Sequence, residues 1–180
     1  MSAPTIVSPA QVWVRGPVAA RRRPGGISPR APGVPGRTSR AGRPPDREVG
    51  WVGAHGGAGA TTLAKALGGR DLGTRWPDAV RGDPARILLV ARTHATGLQA
   101  VSRALDGLRT GRLPAQTTVL ALVLVADAPG RLPARLARRV RVLASAVQTV
   151  RVPWIQAWRL GESTENAPKE LMKIAALIES

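Results

Sequence analysis

Apolar residues along this chain fall into two kinds of run. Short unbroken stretches, Val49 to Val52, Arg86 to Arg92 with its core Ile87, Leu88, Leu89 and Val90, Thr117 to Ala126, and Val147 to Val152 before Pro153, read as buried strands. Elsewhere apolar residues recur at intervals of three and four, the signature of a helix with one buried face. Leu98, Val101, Leu105 and Leu108 mark such a helix from about Thr96 to Leu108. Leu132, Leu136, Val140 and Leu143 mark a second from about Leu132, and Leu171, Ile174, Ala175 and Ile178 a third that begins near Pro168. A brief helix starts near Thr61 and stops at Gly68 and Gly69. The polar stretch Arg70 to Pro84, with Pro77 inside it, reads as a loop.

Strands that alternate with helical crossovers predict an α/β fold: a small parallel sheet of about four strands flanked by helices. The pattern disappears before Val49. Residues 1–48 are dense in Pro, Gly, Ser and Arg, hold the cluster Arg21, Arg22 and Arg23, and are expected to form a disordered basic tail ahead of a single domain at 49–180. A short apolar island from Ala10 to Val14, with Trp13, is a candidate docking motif in that tail or a segment with no role.

Composition narrows the chemistry. Phe, Tyr and Cys are absent, so the core must be aliphatic apart from five Trp, and disulfides, thiolate metal sites and a cysteine nucleophile are excluded. The two histidines cannot make a zinc site alone. The net charge of +16 fits DNA or an anionic surface as partner, but it fits equally a general bias towards Ala, Arg, Gly and Pro. The longest apolar stretch, Val119 to Ala126, is too short to span a bilayer, and the N-terminus lacks a secretory signal's apolar core, so a cytoplasmic location is expected.

The most informative segment is Ala54 to Thr62, between the first strand and the first helix. Glycines at 56, 57 and 59 let the backbone turn its N–H groups inward, and a helix beginning near Thr61 adds its positive end. Such a turn can cradle phosphate through His55, Gly56, Gly57, Ala58, Gly59, Ala60, Thr61 and Thr62, with the Thr61 hydroxyl as a magnesium ligand. Against the pattern G-x-x-x-x-G-K-[ST], Ala54 replaces the first glycine and Ala60 replaces the lysine. Loss of that cation makes efficient hydrolysis unexpected. The same turn also serves as a plain strand-to-helix connection with no ligand.

His55 to Thr62, reading HGGAGATT, resembles the KGGVGKTT signature of the ParA/MinD family of P-loop ATPases, and more closely the lysine-poor loops of its CpaE-like members. The likeness extends more loosely over Ile87 to Leu98 and Leu120 to Pro133, and overall from about Val49 to Trp158. It implies a P-loop NTPase-like fold, ATP or GTP with magnesium as ligand, a homodimer, and a regulatory role through a protein partner or DNA. His55 stands where active members carry a lysine that reaches across the dimer. Between Gly69 and Ile87 there is no room for the family's second strand, switch segment and aspartate-bearing strand together, so the chain looks like a shortened relative. VARTHATGL, ADAPGRLP and RVPWIQAWRLG, with the loop, are also similar to an actinobacterial family of unknown function, which implies no activity.

Ligands of open α/β sheets sit beyond the carboxyl ends of the strands, and that edge should gather His55 and Thr61 with Thr93, His94, Asp127 and Arg131. Asp127 reads as a magnesium-binding aspartate or as the end of a later strand. His94 reads as a site residue or a helix initiator, and Trp154 and Trp158 as core filling. Two functions follow. One is a degenerate ParA/MinD-like regulator that binds nucleotide weakly with little or no turnover. The other is a non-enzymatic DNA- or membrane-associated adaptor that uses the basic tail and the helix carrying Arg131, Arg135, Arg138 and Arg139. A phosphoryl-transfer enzyme would need an acid and a cation that the sequence does not place.

Overall fold

The computed structural model describes residues 47–160 and 168–180. The expected tail up to residue 46, with its Trp13 island and Arg21 to Arg23, lies outside the described residues. Five strands form the sheet: β1 (Val49–Gly53), β2 (Arg70–Asp71), β3 (Arg86–Arg92), β4 (Thr118–Val125) and β5 (Thr149–Val152). All neighbours are parallel, and the order is β2-β1-β3-β4-β5. The central strands are covered on both faces, which is why β1 and β3 are apolar along their length instead of alternating.

The helices are α1 (Ala60–Leu67), α2 (Ala95–Arg109), α3 (Ala134–Ala146), α4 (Gln156–Leu160) and α5 (Lys169–Glu179). Leu63 of α1 and Leu171, Ile174 and Ile178 of α5 pack with Trp51, Leu88, Val90 and Val123 on one face. Leu98 and Val101 of α2 and Val140 and Leu143 of α3 pack with Val52, Leu89, Leu122 and Leu124 on the other. The two layers follow from handedness. The chain leaves β1 towards β2 in one direction and runs from β3 to β5 in the other, so right-handed crossovers place α1 opposite α2 and α3.

The α/β fold and its parallel sheet are as expected, with one strand more. Residues 70–84 are not wholly loop: Arg70–Asp71 adds β2 beside β1, and Ala79–Arg81 makes a turn of 3₁₀-helix. Two residues are too few to show alternation, and β2 is held by contacts distant in sequence. The Leu72 N–H donates to the Trp51 carbonyl at 3.0 Å, and the Gly53 N–H to that of Gly73 at 2.7 Å. Arg70 pairs with Glu48 at 3.0 Å and reaches the Gly82 carbonyl at 2.8 Å. The Asp83 side chain, only 2% exposed, accepts hydrogen bonds from the Arg75 guanidinium and from the Asp78 N–H. The Arg75 bond is the main cause that holds the Asp83 carboxyl at about 2, below its ordinary 3.8, against burial, which acts the other way. The same bond raises Arg75. α3 begins at Ala134, two residues later than the periodicity suggests, because Pro133 occupies the N-cap, although Leu132 still packs on the core. Among the described residues no helix is long and apolar enough to cross a membrane.

Candidate functional site

The strand order reverses at β1, with β2 on one side and β3 on the other, the place beyond whose carboxyl end open α/β sheets take ligands. The glycine-rich turn lies there. Its first amide, Ala54 N–H, donates to the Val90 carbonyl at 2.8 Å, and the Ala58 N–H closes a turn on the His55 carbonyl at 3.3 Å. Gly59 is the N-cap of α1 with φ of 104°, and Gly57 has φ of 73°, values that a residue with a Cβ rarely adopts. No side chain caps α1, so its first-turn N–H groups lack the partner that a Ser or Asp would supply. Ala58 and Ala60 are buried in the core, whereas Gly56, Gly57, Thr61 and Thr62 are exposed.

His55 turns inward. Its Nε2 accepts the Arg92 N–H at 3.1 Å, which leaves the proton on Nδ1 to be donated to the Gly56 carbonyl at 2.8 Å. The ring thereby ties the loop to the end of β3. Gly97 makes this possible: a Cβ there would run into the Arg92 carbonyl and lie 2.9 Å from His55 Nε2. His94 lies beside His55 with ring centroids 5.0 Å apart and planes tilted by 54°, but its own task is to initiate α2. Its Nδ1 accepts the Gly97 N–H at 2.9 Å and lies 2.8 Å from the Thr96 hydroxyl. Thr93, 4% exposed, accepts the Asp127 N–H on its hydroxyl at 3.1 Å, which joins the ends of β3 and β4. Asp127 is half-buried and follows β4, which β3 separates from β1. Arg131 is exposed on the loop before α3.

Arg92 is the residue that the sequence reading missed. Its Nε lies 3.4 Å from the Gly57 carbonyl and its Nη1 3.0 Å from the Ala126 carbonyl, so a guanidinium stands beside the glycine-rich turn. A cleft of about 50 Å³ opens there, lined by Gly59, Thr62 and Arg92 with Trp154 and Trp158. Trp158 also packs against the core, as expected of it, whereas Trp154 is half-buried and borders a second, wider groove of about 440 Å³ with Thr93, Arg151 and Glu170. The signal available in sequence was position alone: Arg92 is the first charged residue after five buried ones, at a strand's carboxyl end. No group of three His, Cys, Asp or Glu residues among the described ones is arranged to hold a metal ion.

Residues 48–175, which span every element of the sheet and this edge, match a family described as a family of unknown function (DUF6668). The chain belongs to that family. No curated protein matches it. The match begins one residue before β1, so the family is defined over the folded domain and its carboxyl edge.

Proposed function

We propose that this chain is a ParA/MinD-like regulatory protein that holds the phosphates of ATP or GTP at Gly56 to Thr62 and turns them over slowly or not at all. The observation that carries the reading is the uncapped start of α1 behind Gly57 and Gly59, placed where the strand order reverses. Low turnover is argued from Ala60: the phosphate-loop lysine position is a buried alanine, 6% exposed, so it supplies no charge to a transferring phosphoryl group. Thr61, exposed in the first turn of α1, is the side chain available to a magnesium ion that arrives with the nucleotide, its other ligands being phosphate oxygens and water. The His55 ring is engaged by Arg92 and Gly56, which argues against a reach across a dimer like that of the family lysine.

Calorimetric titration of the full chain with ATP and GTP, with and without magnesium, tests the reading. Binding should be abolished by Gly59→Val, because a β-branched residue is strained at a φ of 104°, and Thr61→Ala should lose the magnesium-dependent part. No heat at millimolar nucleotide would end the proposal.

A second reading, the DNA- or membrane-associated adaptor, is favoured by one observation. Arg131, Arg135, Arg138, Arg139 and Arg141 are all exposed, and among the described residues no carboxylate pairs with them. A salt-sensitive retardation of duplex DNA or binding to anionic vesicles that survives Gly59→Val would support it.

A further inference from the structure

We propose that Arg92 supplies the positive charge of the loop site and that the cleft it lines takes one phosphoryl-type oxyanion, an inference that rests on the phosphate reading above. Strand alternation sets its direction. Leu88 and Val90 of β3 point to the α1 face, and Arg92 continues that series at the carboxyl end, where it pairs in register with Val125 of β4. Its guanidinium therefore enters the cleft from the neighbouring strand and bridges the Gly57 carbonyl of the loop to the Ala126 carbonyl after β4. The position from which a phosphate loop usually projects its cation is closed here, because Ala60 is packed in the core.

Size and surroundings set the ligand class. One water needs roughly 10–15 Å³ of such space. A cleft of about 50 Å³ thus has room for a few waters or one tetrahedral oxyanion, and no room for a base with its sugar. Val125, Ile155, Trp154 and Trp158 supply the apolar part of the walls, and Thr62 and Arg92 are the polar side chains among them. A guanidinium is always charged and presents a planar fork matched to phosphate oxygens. On binding, Arg92 exchanges carbonyl acceptors for charge-assisted bonds to the oxyanion, and since one of those carbonyls is Gly57's, ligand arrival is transmitted to the loop.

The test uses the full chain with sodium pyrophosphate and with ATP as probes. Arg92→Gln keeps an N–H donor and removes the charge, and should weaken pyrophosphate binding by about tenfold or more. Arg92→Lys should fall between the two, because charge without the fork recovers part of the affinity. In the unmodified chain the Arg92 Nε–H resonance should move on addition of pyrophosphate, a readout that needs no variant to fold. Wild-type affinity in a folded Arg92→Gln chain, or a stationary Arg92 resonance while pyrophosphate binds, overturns the assignment and leaves the loop reading intact. A wild-type chain that binds neither probe removes the loop reading and this inference together.

Discussion

Asp83 lies almost wholly out of water between Arg75 and the Asp78 N–H, and its carboxyl is held at about 2 in the fold against 3.8 ordinarily. A folded-state value below the unfolded one means that the contribution is fully present above about pH 4 and is lost as the pH falls through about 2. Asp83→Asn should therefore cost about 1–3 kcal/mol at pH 7, since the Arg75 fork loses its charged acceptor. The gap from the wild type should narrow as the pH falls from 4 towards 2 and close below it, and urea unfolding at pH 7 and pH 2 reads the narrowing. Gly97→Ala tests a different single-atom constraint. The added methyl meets the Arg92 carbonyl and His55 Nε2, and should lower stability by about 1–3 kcal/mol through overpacking of the joint between α2, β3 and the loop. A melting temperature equal to wild type would show that this joint is looser than the hydrogen bonds imply.

Among the elements, α5 closes one face of the sheet through Leu171, Ile174 and Ile178. Ile174 is fully buried against that face, and Ile174→Ala should cost about 2–5 kcal/mol in chemical denaturation. A much smaller loss would mean that the sheet face is stable without α5. How well each element could be read in advance followed from what holds it. β3 and α2 declare themselves by an unbroken run and by a three-four period, because burial of their own residues decides their structure. β2 does not, because two residues carry no period and their place is fixed by Trp51, Glu48 and Asp83, far away in sequence. The site divides in the same way. Gly57 and Gly59 were legible because positive φ demands glycine, whereas Arg92 and the inward turn of His55 depend on which strand ends meet. That depends on the strand order, which no local pattern states.

For the molecule as a whole, the two proposed activities draw on different groups: the backbone turn at the carboxyl edge of β1, and the exposed arginines of α3, of which Arg139 also reaches the Ala95 carbonyl near that edge. Reversing charge at Arg138 and Arg141 should leave ATP affinity within about twofold of wild type, because sites without shared partners act independently, while any salt-dependent DNA retardation falls. A parallel loss of both would mean that one surface serves both ligands. Whether the glycine-rich turn is a phosphate site can be read from amide-resolved NMR of the ¹⁵N-labelled chain during titration with magnesium ATP. Phosphate binding there should give saturable shifts at Gly57, Gly59, Ala60 and Thr61, with α3 amides unmoved. Absence of shifts in the loop, or shifts confined to α3, would contradict it.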